Sequence, residues 1–458
     1  PGVTNAATAI GQAYADSIPM LVISSVNHTA SLGKGWGSLH ETQDQRAITA
    51  PITAFSAVAL NAEDLPELIA RAYAVFDSER PRPVHISVPL DVLAAPIQRD
   101  WSHEVVRRPG RGLPAAHCLD QAAAKLSAAR RPMIIAGGGA LAAGAVLRRL
   151  STVLAAPFFT SVAGKGLLPI DDPLNAGATL CVAPGWQLIS EADVVLAVGT
   201  EMADTDYWCE RLPLKGELLR VDIDPRKFND VYPCAVALNG DAEQTLRALL
   251  ERLPSAPRDA DAAASHVATL QQAIARGHGP LQSIHQAIFE RIHAELPVNA
   301  FISSDMTQLA YTGNYAFQSR APRSWLHPTG YGTLGYGLPA GIGAKFAAPQ
   351  RPGLVLVGDG GFLYTAQELA TAVEELDSPL VVLLWNNDAL GQIRDDMLSL
   401  EIEPIGVLPR NPNFALLGQA FGCTVNQPQN LDELQTDLRN GFKRNGVTLI
   451  ELKHACAC

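Results

Sequence analysis

The chain has 458 residues, 47% of them hydrophobic and 18% charged, with a formal charge of −11. Such a length suggests about three α/β-sized domains with ample core, and the acidic balance argues against nucleic acid or an anionic membrane surface as the main partner. No apolar run reaches the length of a membrane span, and no signal-peptide pattern is present.

The first block is expected over residues 1–100. Pro1-Gly2-Val3-Thr4-Asn5 reads as a loop in mid-fold, and Pro1 is not an initiator Met, so residues upstream are expected. Ala6 to Asp16 reads as a small-residue helix, Ile18 to Ser25 as a buried strand, Leu65 to Phe76 as a helix and Pro83 to Val88 as a second strand. An Arg-, Pro- and Gly-rich linker is expected from about Gln98 to Ala116. The second block, 115–255, opens with a helix near Leu119 to Ala129. Strand Pro132 to Ala136 then runs into Gly137-Gly138-Gly139, and further strands are expected at Val194–Val198 and Leu218–Asp224. The triple glycine looks like half of a dinucleotide fingerprint but lacks its full spacing. A polar linker, Ala256 to Ser265, leads to the third block, 275–458, which begins with a helix from Pro280 to Leu296.

The third block carries the chemistry. Gly353 to Val357 and Leu380 to Trp385 are continuous apolar runs, as in parallel strands buried on both faces. The first ends in Gly358-Asp359-Gly360 and the second in Asn386-Asn387, with helical periodicity from Thr365 to Leu376 between them. In such units polar ligands sit outside the carboxyl ends of the strands. Asp359 offers a carboxylate oxygen, Asn387 an amide oxygen and Ala389 a backbone carbonyl, which together suit Mg²⁺. Gly360 and Gly361 let backbone N–H groups approach phosphate oxygens. Upstream, His327 to Ala340 holds four glycines, so its backbone is expected to approach a ligand closely before a helix at Gly341 to Phe346. The expected architecture is α/β, with three consecutive doubly wound parallel-sheet domains.

Cysteines Cys118, Cys181, Cys209, Cys234 and Cys423 are scattered singly, which fits cytosolic thiols rather than a disulfide framework, and a cytoplasmic location is expected. His454, Cys456 and Cys458 could bind a soft metal, against the plainer reading of a frayed tail.

The pairing of Gly-Asp-Gly with Asn-Asn, the glycine-rich run before it and Pro-Gly-Val-Thr-Asn in the first block resemble the acetolactate synthase-like branch of thiamine diphosphate enzymes. The resemblance implies pyrimidine-binding, middle and diphosphate-binding domains in that order, the first lacking its N-terminal part. Gln308 to Asn314 and Asn386 to Asp396 are more narrowly similar to the decarboxylases of 5-guanidino-2-oxopentanoate. Thiamine diphosphate and Mg²⁺ are the implied cofactors and a 2-oxo acid the implied substrate. The implied metal ligands are Asp359, Asn387 and the Ala389 carbonyl. Gly358, Gly360, Gly361, Thr333, Leu390 and Gly391 would line the cofactor, Leu334 would support its bend, and Asn5 would lie in a loop beside the aminopyrimidine. Leu39-His40-Glu41 stands where acetolactate synthases carry Phe-Gln-Glu, so His40 and Glu41 are candidate catalytic residues, with a surface-loop histidine as the competing reading. The family's activating glutamate lies upstream of Pro1, and no residue here is named for it. Gly199-Thr200-Glu201-Met202 replaces the Arg-Phe-containing run of the FAD-binding relatives, so FAD is not expected.

Three functions follow. The first is decarboxylation of a long cationic 2-oxo acid, with Asp305, Asp388, Asp395, Asp396 or Glu41 as guanidinium partners against the reading of solvated surface acids. The second is an acetolactate synthase-type carboligase, and the third a non-catalytic cofactor-binding relative. The resemblance implies a homodimer or homotetramer with sites at subunit interfaces.

Overall fold

The computed structural model describes residues 1–97, 100–101 and 110–457. Most of the expected first linker, and Cys458 of the C-terminal cluster, therefore lie outside the described residues. The chain divides into two compact units. One comprises Pro1–Leu113 with Ile223–Pro225 and Asn239–Asp241, and the other comprises the remainder.

The first unit contains β1 (Leu21–Val26), β2 (Phe55–Val58) and β3 (Val84–Pro89), all parallel, in the order β1-β3-β2. Strand β3 is buried throughout, as a central strand should be. Its two polar positions are satisfied inside: His85 meets Ser24 Oγ through Nε2 at 2.8 Å and Thr49 Oγ1 through Nδ1 at 2.7 Å, and Ser87 Oγ accepts from Gln45 Nε2 at 3.2 Å.

Two further parallel sheets form the second unit. The middle sheet is built from β4 (Pro132–Ala136), β5 (Phe158–Thr160), β6 (Asn175–Gly177), β7 (Val194–Val198), β8 (Glu217–Asp222) and β9 (Val236–Asn239), ordered β6-β5-β4-β7-β8-β9. The triple glycine after β4 has a packing cause. A Cβ on Gly137 would lie 2.5 Å from the Gly199 carbonyl oxygen, and one on Gly139 would lie 3.0 Å from Gly199 Cα. The turns after β4 and β7 thus press backbone to backbone, which accounts for these glycines without a bound dinucleotide. The last sheet comprises β10 (Phe301–Ser304), β11 (Trp325–Leu326), β12 (Gly353–Gly358), β13 (Leu380–Asn386), β14 (Thr424–Asn426) and β15 (Val447–Lys453), ordered β11-β10-β12-β13-β15-β14. Strands β12 and β13 are buried at every residue, matching the two apolar runs.

A lysine ties these two sheets together. Lys165, on the loop after β5, is buried and donates to the carbonyls of Gly313, Asn314 and Phe317 at 2.6–2.8 Å. Those carbonyls end the helix Gln308–Ala316, where a cation is favoured. The ammonium also lies 4.7 Å from the centre of the Trp325 ring.

Several boundaries differ from expectation. The Pro1–Asn5 segment is no loop: the helix runs from Gly2 to Ala15, so Asn5 sits exposed in its first turn. Thr4 Oγ1 and the Asn5 N–H both bond the Pro1 carbonyl, which lets the helix start earlier. The helix expected over Thr365–Leu376 is two helices, Asp359–Thr365 and Glu368–Glu375, the first starting directly on the Gly-Asp-Gly. The helix expected from Gly341 begins at Gly337, and the second expected linker is shortened by the helix Asp261–Arg276, which buries Val267 and Leu270. Strands β2, β5, β6, β9, β11 and β14 have two to four residues each, too short for periodicity to reveal. Among the described residues, no helix is long and apolar enough to cross a membrane.

His285 is one of the histidines that make the fold acid-sensitive, beside His85 and His327, whose pKa values burial also lowers. His285 bonds Thr312 Oγ1 through Nδ1, and its Nε2 is buried without a partner. Burial, and then the nearby His454, lower its pKa to about 4. Below about pH 6.5 the unfolded chain takes up a proton that the folded chain refuses. The stability from the neutral ring is therefore complete above that pH and is lost as the pH falls toward 4. Urea denaturation should show roughly 1–3 kcal/mol lost by this group over that window, and His285→Phe should lessen the dependence by that share, leaving the part due to His85 and His327. An unchanged pH slope in the variant would assign the sensitivity elsewhere.

Candidate active site

Three polar residues emerge where buried strands of the last sheet end. Asp305 follows β10, Asp359 follows β12 and Asn386 closes β13. A strand buried on both faces can expose polar groups only at its ends, so these side chains meet at the carboxyl edge.

Asp305 organises the glycine-rich loop. It is fully buried and accepts N–H bonds from Met306 (2.8 Å), Gly335 (3.1 Å) and Gly337 (3.0 Å). Burial raises its pKa against the pull of those three donors. Ser303 Oγ holds the Gly337 carbonyl and Thr365 Oγ1 the Gly335 carbonyl. Gly335 has a φ of +79°, and a Cβ there would lie 2.7 Å from Tyr364 Cβ, so only glycine fits. Half-buried Thr333 and Leu334 are thereby fixed beside the helix Asp359–Thr365.

Asp359 opens that helix and is 2% exposed. Burial raises its carboxyl pKa, as does Asp388, while the Asn411 amide and the Gly360 N–H oppose the rise. Asn411 Nδ2 lies 2.7 Å from Asp359 Oδ2, 3.2 Å from Asn386 Oδ1 and 3.1 Å from Asp388 Oδ1. Glu451 fixes the Asn386 amide by accepting from its Nδ2 at 2.8 Å, which turns Oδ1 toward Asn411. Asn387 is oriented differently: its Nδ2 meets Gln308 Oε1 at 3.3 Å and its Oδ1 accepts the Ala389 N–H at 3.2 Å. A Cβ on Gly391 would strike Gln308 Oε1 (2.5 Å) and Asn387 Nδ2 (2.6 Å), and one on Gly360 would strike Leu390 Cδ2 (2.6 Å). Gly361 similarly faces Asp305 Oδ1, and Gly358 faces Thr307 Oγ1. The structure thus gathers Leu334, Gly358, Asp359, Gly360, Gly361, Asn387, Ala389, Leu390 and Gly391 at one edge of one sheet.

These donors fit a hard divalent cation. They are carboxylate, amide and main-chain oxygens, the set Mg²⁺ takes. Among the described residues no group of three or more His, Cys, Asp or Glu is placed to hold a metal, so an ion here would rely on asparagine and carbonyl oxygens beside Asp359. The convergence of three oxygens on the Asn411 amide hydrogens shows where positive charge is favoured. Asn386, Asp388 and Gln308 are structural partners that the motif alone did not assign, and Asn411 carried no sequence signal at all.

In the first unit Glu41 folds its own loop. Its carboxylate accepts N–H groups of Gly35 (2.7 Å), Trp36 (3.3 Å), Gly37 (2.7 Å) and Ser38 (3.0 Å). Burial would raise its pKa, but these donors prevail and hold it below the usual range. His40 is exposed, with a left-handed φ of +62°. Of the five acids considered for a guanidinium, Asp305 and Glu41 are committed to backbone N–H groups, and Asp395 is engaged by Arg394 and Gln308. Asp388 and Asp396 accept from the Asn411 and Gln392 amides and are exposed.

Residues 119–249 match the family model described as "Thiamine pyrophosphate enzyme, central domain", and residues 305–452 match "Thiamine pyrophosphate enzyme, C-terminal TPP binding domain". The chain belongs to the thiamine pyrophosphate enzymes, as a thiamine diphosphate-dependent carboxy-lyase. It is 79% identical over 457 residues to "Probable 2-ketoarginine decarboxylase AruI" of Pseudomonas aeruginosa, covering 100% of this chain and 82% of that protein. It is 29% identical to the acetolactate synthase isozyme 1 large subunit of Escherichia coli, over 99% of this chain and 81% of that one. It is also 29% identical to a probable acetolactate synthase large subunit of Methanocaldococcus jannaschii, over 99% and 79% of the two chains.

Replacing Asp305 with Ala would strand the N–H groups of Met306, Gly335 and Gly337. We expect a loss of roughly 3–5 kcal/mol in urea denaturation, with Asp305→Asn recovering part of it through its remaining acceptor oxygen. A near-neutral Ala variant would show that the loop is held by other contacts.

Proposed function

We propose that the protein catalyses the thiamine diphosphate- and Mg²⁺-dependent, non-oxidative decarboxylation of 5-guanidino-2-oxopentanoate, also called 2-ketoarginine. The observation that carries this reading is the 79% identity, over the full chain, to a protein named as a 2-ketoarginine decarboxylase. In the reaction the bond between C1 and C2 breaks, CO₂ leaves, and a proton takes its place on C2 to give an aldehyde.

The bound cofactor would supply the electron sink for the pair left when CO₂ departs. Asp359, Asn387 and the Ala389 carbonyl would hold Mg²⁺, with the Gly360 and Gly361 N–H groups and Gly391 toward the diphosphate. Leu334 would press an apolar surface beneath the cofactor, with Thr333 and Leu390 beside it, excluding water where charge is lost. His40 would carry a proton or meet the substrate carboxylate, and Glu41 would hold the loop that presents it. The exposed acids Asp388 and Asp396 would face the guanidinium. Asn5, on its helix rather than a loop, would border the pyrimidine. Residues 1–100, 115–255 and 275–458 would be the pyrimidine, middle and diphosphate domains. The middle one would act as scaffold, in keeping with the close-packed glycines after β4 and the Lys165 strap. A homodimer or homotetramer in the cytoplasm would be the working form. Exposed apolar residues such as Tyr331, Tyr364 and Ile405 support such association.

Incubation with 5-guanidino-2-oxopentanoate should release CO₂, and incubation with pyruvate should give no acetolactate. Acetolactate without CO₂ from the guanidino acid would instead favour the carboligase reading, which the acetolactate synthase relatives make the natural alternative. Asp359→Ala should abolish Mg²⁺-dependent thiamine diphosphate binding in calorimetry, and retained affinity would refute this metal assignment. Asp396→Asn should lower kcat/KM for the guanidino acid about tenfold while sparing a neutral 2-oxo acid; equal losses on both would remove its role in specificity.

A further inference from the structure

Asn411 stands out because its side chain is satisfied on only one side. It lies in the irregular segment between the helices Gly391–Ser399 and Phe414–Ala420, 52 residues along the chain from Asp359. Its Nδ2 carries two hydrogens and faces three acceptor oxygens, those of Asp359, Asn386 and Asp388. Its Oδ1 is buried without a hydrogen-bond partner.

The alternative amide orientation explains the choice. Rotating the group by half a turn would aim Oδ1 at two carboxylates and an amide oxygen, which repel it. The observed orientation instead puts the electropositive end of the amide among the three oxygens, although Oδ1 goes unpaired. The side chain is held for its nitrogen.

We propose that Asn411 is a placeholder for the metal, its amide nitrogen standing in the cation's position and leaving when a divalent ion arrives. This rests on the reading of Asp359 as a metal ligand. In the metal-free protein the placeholder relieves repulsion between Asp359 and Asp388, whose carboxylate oxygens lie 2.7 and 3.1 Å from its nitrogen. Metal binding then becomes an exchange, one set of N–H bonds for ion–oxygen bonds. The exchange weakens the apparent affinity and releases the segment that carries Asn411. Leu390 N–H still holds that segment through the Val407 carbonyl at 2.8 Å, so release is confined to the part beyond Val407.

The test is Mg²⁺ titration in the presence of thiamine diphosphate, read by calorimetry on the whole chain, together with thermal melts with and without Mg²⁺. Asn411→Ala removes the competitor, so it should bind Mg²⁺ about five- to tenfold more tightly and melt lower than the parent only when metal is absent. Asn411→Asp should show the same pattern more strongly, because a third carboxylate replaces a donor. Weaker Mg²⁺ binding in the alanine variant would make Asn411 a ligand and overturn the proposal. Equal drops in melting temperature with and without metal, at unchanged affinity, would reduce it to a loop contact and overturn it too. If Asn411→Ala fails to fold, Asn411→Leu, which has the same shape but neither donor nor ligand atom, decides by the same two readouts. Asp359→Ala in the same titration separates the two readings: if it binds Mg²⁺ like the parent, the metal site itself is misassigned. If it loses binding while both Asn411 variants bind like the parent, the placeholder alone fails.

Discussion

A parallel strand buried on both faces can present a polar side chain to a ligand only at its ends, and this constraint shapes the whole last sheet. Strands β10, β12 and β13 are buried at every residue, so Asp305, Asp359 and the Asn386-Asn387 pair, at or just past their ends, appear at one edge. Desolvation raises the cost of leaving any of them unpaired, and the structure answers each differently. Asp305 is neutralised by backbone N–H groups, Asn386 is anchored by Glu451, and Asp359 is left to a single amide and the helix start.

That division of labour separates scaffold from chemistry. From the sequence Asp305 reads as a candidate guanidinium partner, yet three main-chain donors occupy it and it holds the loop that carries Leu334. Lys165 has the matching role from the middle sheet. It caps the end of the helix whose first residue, Gln308, sets the orientation of Asn387. The middle sheet is thus linked through that helix to the edge where Asp359 and Asn387 lie.

Much of the architecture was legible in the chain. The runs Gly353–Val357, Leu380–Trp385, Pro132–Ala136 and Val194–Val198 all became central strands, because an apolar run ended by glycine or asparagine has few other outcomes in a parallel sheet. The short edge strands were hidden, since two to four residues carry no period. Helix boundaries failed where local bonds outweighed composition, as at Pro1, whose carbonyl gathers the Thr4 hydroxyl and Asn5 N–H and extends the helix through a stretch that reads as a loop.

At the site, sequence alone determined which residues could bind a metal and a diphosphate, because Gly-Asp-Gly and Asn-Asn at the ends of consecutive buried strands leave little choice of position. Tertiary structure alone decided which of those groups are free to do so. Whether a carboxylate serves chemistry or scaffold depends on which N–H groups reach it. Those of Gly35 to Ser38 around Glu41 lie close in sequence, but those of Gly335 and Gly337 come to Asp305 from 30 and 32 residues away. Asn411 reaches Asp359 from farther still. No spacing rule spans such separations, because only the packed sheet brings those backbones together.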